Sequence, residues 1–233
     1  MNTTPNGFAA LLRTALGKQW QHLHPDIRAR FTPAPGATRQ CFTGGMNTIE
    51  RSFIGWLIAR LIAFARVLPS VRARDVPFEF NLAPAPAGAS TPAAGWFKER
   101  LYHFREGRFE FRSIMSIARN GELIEQFPYG LGMKIKPGVE GDDGDKLYFR
   151  DDGYFLRLGA LRVPIARWLG VGRFTLMHQN IDHDNFIVEI RIDHPLFGRL
   201  FYQAGRFRQA RLTHSAAVSA PDAAHTAVPG TVY

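Results

Sequence analysis

Cysteine is nearly absent. Cys41 is the single one in 233 residues, so no intrachain disulfide can form and the core must hold the fold. A lone thiol fits a reducing compartment, and the expected location is cytoplasmic. Long apolar runs are also missing. The richest, Phe53 to Leu68, is shorter than a bilayer span requires and is interrupted by Arg60 and Arg66. Met1 to Gly7 has no basic run followed by an apolar stretch, so no secretory leader is expected.

Signatures of common chemistries are lacking as well. There is no G-x-S-x-G elbow, no H-E-x-x-H spacing and no lysine-bearing phosphate loop. Gly130-Leu131-Gly132 and Gly170-Val171-Gly172 lack the third glycine and following helix that a dinucleotide site needs. Cys41 has no local catalytic signature. Strands do not alternate with helices, which argues against a parallel sheet, and no internal repeat is visible.

What remains is an ordinary globular balance, 45% hydrophobic and 21% charged, enough for a sizeable core. The net charge of +9 and pI near 10.2 favour anionic partners: nucleic acid, acidic headgroups or an acidic protein. Arginine far outnumbers lysine, and an arginine-rich composition makes a basic surface with no partner at all.

The pattern predicts flexible residues 1–7, one domain over 8–212 and a disordered tail over 213–233, rich in Ala, Ser, Thr and Pro. Within the domain, residues 8–69 read as a helical lead-in. Phe8, Leu11, Leu12, Ala15, Leu16, Trp20 and Leu23 recur at three- and four-residue intervals, and Pro25 opens a second turn with Ile27 and Phe31 inward. Residues 32–45 read as loop. Asn47 or Thr48 is expected to cap a helix over about 48–68 that Pro69 stops. Its stripe of Phe53, Trp56, Leu57, Arg60, Leu61 and Phe64 is expected in the core; an interfacial membrane anchor is the alternative.

From Asp75 the period becomes two. Val76, Phe78, Phe80 and Leu82 form a half-buried strand, and residues 83–95 a surface linker. Asn120-Gly121, Asp151-Asp152-Gly153 and Asp182-His183-Asp184-Asn185 read as hairpin turns, Pro137-Gly138 as a strand end and Gly198 as a tight corner. The fold class is α+β and mainly antiparallel β: N-terminal helices on a curved meander sheet or barrel of about eight strands over 75–212.

Several local motifs, taken in order, resemble a bacterial family of unknown function, the DUF4166 domain. They are Ala15-Leu16-Gly17 with Leu23-His24-Pro25 and Arg30-Phe31; Gly44-Gly45-Met46; Leu68-Pro69 with Asp75-Val76-Pro77; Trp96-x-x-x-Arg100 with Phe104; Glu125-x-Phe127; and His194-Pro195-Leu196-Phe197-Gly198 with Tyr202 and Gly205. The resemblance covers roughly residues 10–210. The family carries no assigned activity, so the resemblance implies a fold. Related domains occur fused behind NAD(P)-binding dehydrogenase-like modules. Such a module is missing from this sequence, so any partnership of that kind would act between separate chains.

Among the titratable residues, His178, Asp182, His183, Asp184, Asp193 and His194 could suggest a metal site, but Asx residues belong in turns and no ligand spacing is present. Neither a metal nor a cofactor is expected, and no catalytic residue is assigned. Arg105, Arg108 and Arg112 interleave with Phe104, Phe109 and Phe111 as a base-stacking platform does, yet strand alternation alone produces that pattern. Charges on strands are more informative, since one facing a barrel lumen must be paired or serve a ligand. Arg100 shares a face with Trp96, Lys98 and Tyr102, and is expected to pair with Glu125. The candidate ligand-binding residues are Trp96, Arg100, Tyr102, Glu125, His178 and Tyr202. The expectation is a non-catalytic domain that binds a small apolar ligand or lipid in a β cavity. The alternatives are a protein-interaction or accessory role beside a separate oxidoreductase, and a basic surface for nucleic acid or anionic membrane.

Overall fold

Alternation of period two continues through most of the chain, and strands so patterned close upon themselves. A computed structural model describes residues 7–33, 39–63, 67–85, 95–159, 161–166 and 172–210. The strands are β1 (Gln40–Arg51), β2 (Ala73–Pro84), β3 (Trp96–Phe104), β4 (Gly107–Ile117), β5 (Leu123–Gln126), β6 (Leu131–Glu140), β7 (Lys146–Leu158), β8 (Leu161–Ile165), β9 (Arg173–Asn180), β10 (Asn185–His194) and β11 (Gly198–Gln209). The sheet order is β6-β5-β4-β3-β2-β1-β11-β10-β9-β7-β8, and β6 pairs β7. Ten antiparallel strands therefore form a closed barrel, and β8 is added along the end of β7. Closure leaves few open edges, which suits a sheet this long.

Inward side chains are apolar: Phe42, Met46, Val76, Phe78, Leu82, Met115, Met133, Leu147, Phe186, Phe201 and Phe207 belong to one buried cluster. The outer face carries ion pairs such as Arg39–Glu99, Arg112–Glu99 and Arg108–Glu110. That polarity is the reverse of a membrane-spanning barrel. No helix among the described residues is long and apolar enough to cross a membrane.

One end of the barrel, here the upper end, is covered by α1 (Phe8–Leu16), a 3-10 segment (Gly17–His22) and α2 (Pro25–Arg30). Phe8, Leu12, Leu16, Leu23, Ile27 and Phe31 from this lead-in are buried on the barrel core. Pro25 opens α2 behind its cap His24, whose Nδ1 accepts from Asp26 N. Arg30 then drives into the barrel end. Its guanidinium donates to Asn180 Oδ1 at 2.8 Å and to the carbonyls of Asp182 and His183, which fixes α2 to the β9–β10 hairpin.

At the other, lower end sits α3 (Phe53–Leu61), capped by Ser52, whose Oγ accepts from Gly55 N at 3.0 Å. Four expectations are corrected here. Residues 40–51 are a strand, not loop and helix start: β1 pairs both β2 and β11 along its length. Its Gly44 belongs there because a Cβ at that position would lie 2.0 Å from the Arg206 carbonyl oxygen. Second, α3 starts after β1 rather than near 48, and its stripe is not core: Phe53 is 70% and Leu61 69% exposed.

Third, Asp151-Asp152-Gly153 is no hairpin. β7 runs through it and changes partner there, from β9 at Lys146–Arg150 to β8 at Tyr154–Leu158. The aspartate anchors the switch, since Asp151 Oδ1 accepts from Phe174 N at 2.7 Å. Fourth, Pro137-Gly138 does not end β6, which continues to Glu140 against Lys146. The turns at Asn120-Gly121 and Asp182–Asn185 form as expected; Asp182 Oδ1 accepts from the backbone of Asp184 and Asn185. The strand number among the described residues is eleven rather than about eight. Residues 1–6 and 213–233, expected to be flexible, and most of the linker, 86–94, lie outside the described residues.

Candidate functional site in the barrel lumen

Lys98, Arg100 and Tyr102 are alternate residues of β3, so all three side chains enter the lumen. Across the ladder, Ser113 of β4 opposes Lys98, and Glu125 of β5 opposes Met115. These registers deliver two cations, a carboxylate and a hydroxyl to one place inside an apolar barrel. Arg100 Nη2 donates to Glu125 Oε1 at 3.0 Å, and Lys98 Nζ donates to Glu125 Oε2 at 3.1 Å. Ser113 Oγ donates to Glu125 Oε1 at 2.6 Å and accepts from Arg100 Nη1 at 3.0 Å. The Arg100 guanidinium also lies over Phe111, 4.6 Å from its ring centre.

All four side chains are buried, with Glu125 only 3% exposed. Burial opposes ionisation of Glu125, but Lys98 and Arg100, with the Ser113 hydrogen bond, outweigh it and hold the carboxyl down at about 2. Burial pushes the Lys98 ammonium down to about 8, with Glu125 pulling the other way. At neutral pH the cluster therefore holds two positive charges against one negative. Such an excess inside a core is costly unless an acceptor or anion meets it.

Two cavities flank the cluster. The upper measures about 80 Å³ and the lower about 220 Å³. Arg100, Glu125, Phe174, Leu176, Ile190 and Gln203 line both, so the charged cluster stands at the waist of one lumen. Phe42, Phe78, Phe186 and Phe207 are among the walls of the upper chamber, and Phe111, Phe127, Tyr154 and Phe201 of the lower. Ile62, Val67, Leu68 and Pro69, which follow α3, line the lower chamber. A cavity near 150 Å³ with such walls holds a benzene-sized molecule, so the lower chamber has room for an apolar group.

The candidate residues are only partly assembled. Arg100, Glu125 and Tyr102 meet the lumen together, and Tyr102 donates from its hydroxyl to Gln203 Oε1 at 3.1 Å. His178 lines the upper chamber, but its Nε2 lies 2.9 Å from Arg30 Nη1, so that nitrogen accepts and the ring is neutral. Burial and the Arg30 charge hold its pKa well below the ordinary value. Trp96 packs at the upper rim, its ring 5.9 Å from Phe8. Tyr202 points away from the lumen, since Phe201 and Gln203 on either side line it, and its hydroxyl bonds Glu189 on the neighbouring strand.

Sequence reasoning missed the parts played by Lys98, Ser113 and Gln203. A shared strand face was the available signal for the first, and the alternation Phe109, Phe111, Ser113 for the second. The suspected metal residues are scattered. His178 faces the lumen, Asp182 holds its own turn, and Asp193 and His194 lie at the lower end of β10. No group of three His, Cys, Asp or Glu side chains among the described residues is placed to hold a metal ion.

Comparison with known proteins gives relatives without an assigned activity. The chain is 23% identical over 192 residues to an uncharacterized protein of Bacillus subtilis (strain 168), YndH, covering 80% of this chain and 91% of that protein. The profile described as a domain of unknown function, DUF4166, matches residues 23–207. That span is most of the barrel and part of its helical cap, and the chain is a member of the DUF4166 family.

Proposed function

We propose that the barrel is a non-catalytic binding domain for a small apolar molecule that carries an anionic or hydrogen-bond-accepting head. The carrying observation is the pairing of a hollow apolar chamber of about 220 Å³ with a buried Lys98–Arg100–Glu125 cluster that has one positive charge in excess. An apolar tail gains the usual transfer free energy by leaving water for Phe111, Phe127, Leu131 and Phe201. The head meets the Arg100 guanidinium, which lines this chamber and has donors beyond those given to Glu125 and Ser113. A short-chain carboxylate, or the end of a longer lipid, fits both demands. The volume is below the ~300–1,000 Å³ of drug-sized sites, which favours a single chain over a bulky ring system.

Ser113 donates to Glu125, but that carboxyl is held at about 2 and is committed to three partners, which makes it a poor base for activating the hydroxyl. The cluster orients and neutralises; it has no free proton acceptor for turnover. The test is calorimetric titration with decanoate and with decanol. The reading predicts saturable binding of decanoate, with Arg100→Met weakening decanoate by about tenfold or more while changing decanol little. Equal loss of both, or no binding of either, contradicts it.

A further inference from the structure

The two ends of the barrel differ in what they show to solvent. Of the exposed large hydrophobic side chains among the described residues, all but Ile181 lie at the lower end. They come from separate connections: Phe53, Leu57 and Leu61 on α3, Leu158 and Leu161 at the β7–β8 turn, and Leu196 and Phe197 at the β10–β11 turn. Leu196 is 75% exposed, as high as any of them. Side chains of this size on three segments that the barrel gathers around one mouth are more than the scattered surface leucines of an ordinary protein.

Charge divides along the same axis. The upper loops hold Asp142, Asp143 and Asp145 between β6 and β7, and Asp182 and Asp184 between β9 and β10. The lower end exposes Arg60, Arg72, Arg74, Arg105, Arg162 and Arg199, against Glu50, Asp75 and Glu106, with Asp193 half-buried. Arg199 and Arg191 share Asp193. The upper end also exposes Arg13, Lys18, Arg39, Arg119 and Arg208, so its exposed charges nearly balance, whereas the lower end keeps an excess of arginine.

We infer that the lower end docks on the surface of an anionic lipid bilayer. Leucine and phenylalanine tips around a rim enter the boundary between headgroups and acyl chains, and the arginines set among them meet lipid phosphates. A second copy of the chain is disfavoured as the occupant, because a two-fold contact would press one basic end against another. A nucleic acid would use the arginines and leave the leucines in water. Apolar tips spread over separate turns of a rim suit a fluid surface better than a shaped partner. The docking face adjoins the lower chamber, since Ile62 after α3 and Ile165 of β8 line that chamber. The inference goes beyond the ligand reading and stands on the outer surface alone.

Flotation of the full chain with vesicles tests it, using phosphatidylcholine alone and an equimolar mixture with phosphatidylglycerol. The expected result is flotation with the mixed vesicles at physiological salt and little with phosphatidylcholine alone. Phe53→Ser with Leu61→Ser, both exposed and so neutral to the thermal midpoint, weakens binding by about tenfold per residue. Arg60→Glu with Arg74→Glu removes the preference for phosphatidylglycerol. Failure of the native chain to float with either vesicle overturns the proposal, as does equal flotation by the Phe53→Ser, Leu61→Ser variant. A concentration-dependent dimer abolished by that variant assigns the face to a second copy and equally overturns it. Because flotation reads the outer rim and not the lumen, an empty lumen with normal flotation sinks only the ligand reading, and the converse sinks only this one.

Discussion

At the upper end of the barrel the cap side chains Leu12 and Ile27 have no exposed surface, and Arg30 bolts α2 to the β9–β10 turn through several carbonyl and side-chain contacts. At the lower end the corresponding helix, α3, keeps Phe53, Leu57 and Leu61 in solvent, and the segment after it lines a chamber of about 220 Å³. One end is packed for stability. The other gives up packing, and packing surrendered at a barrel mouth is where ligand sites commonly arise. Between them the Lys98–Arg100–Glu125 cluster marks the boundary, belonging to both chambers through Arg100 and Glu125.

The comparison can be broken first at that boundary. Glu125→Leu leaves Lys98 and Arg100 buried without a counter-charge, and is expected to cost about 3–5 kcal/mol in urea unfolding. Lys98→Met in the same background is expected to recover part of that loss. A cost below about 1 kcal/mol for Glu125→Leu would mean that water already screens the cluster.

Acid attacks the same residue. The native carboxyl of Glu125 titrates at about 2, below the 4.5 of an unperturbed group, so the unfolded chain binds more protons between those values. Stability therefore rises with pH across this window and is lost as pH falls through it, by on the order of 3 kcal/mol. Lys98, pushed down to about 8 from 10.5, adds stability as pH rises above 8. The buried tyrosines Tyr102 and Tyr154, whose pKa values burial raises, oppose that gain above pH 10. Midpoints of thermal unfolding against pH, compared with the Glu125→Leu, Lys98→Met double variant, isolate both effects. An identical acid limb in the two proteins would contradict the assignment.

How much of this was legible beforehand depends on the range of the interactions. Arg100 and Glu125 could be paired from alternation, because the period of two decides which side chains enter a barrel. The Asp182–Asn185 turn was legible too, since its hydrogen bonds are local. β1 was not. Its Gly44-Gly45 and flanking threonines carry loop-like propensities, and only the close approach of Arg206 and Phe207 on β11 explains the glycine. Asp151-Asp152-Gly153 looked like a turn for the same reason, although its role is to let β7 change partner. α3 misled in a different manner, because apolar residues at helical spacing do not say whether their face meets the core or the outside. Lys98 was visible on its strand, but its sharing of Glu125 depends on the β4–β5 register, which no local pattern encodes.

Smaller substitutions sharpen the contrast between the ends. Leu12→Ala in the sealed cap is expected to cost about 2–5 kcal/mol, the range for a fully buried leucine. Leu68→Ala beside the lower chamber removes contacts that are already incomplete and is expected to cost about 1 kcal/mol. Denaturant midpoints at constant m compare the two, and equal costs would contradict a packed upper and a slack lower end. Leu196→Ser at the exposed β10–β11 turn should fall within about 0.5 kcal/mol of the native chain.

The central claim is that the lumen holds an apolar molecule with an anionic or accepting head. Native mass spectrometry of the freshly purified chain, followed by organic extraction and identification of what is released, tests it most directly. The account predicts a stoichiometric adduct whose extract contains a chain-like molecule ending in a carboxylate or phosphate. A clean apo mass that persists after incubation with excess decanoate would contradict it, and would make the lower chamber a packing defect of the barrel.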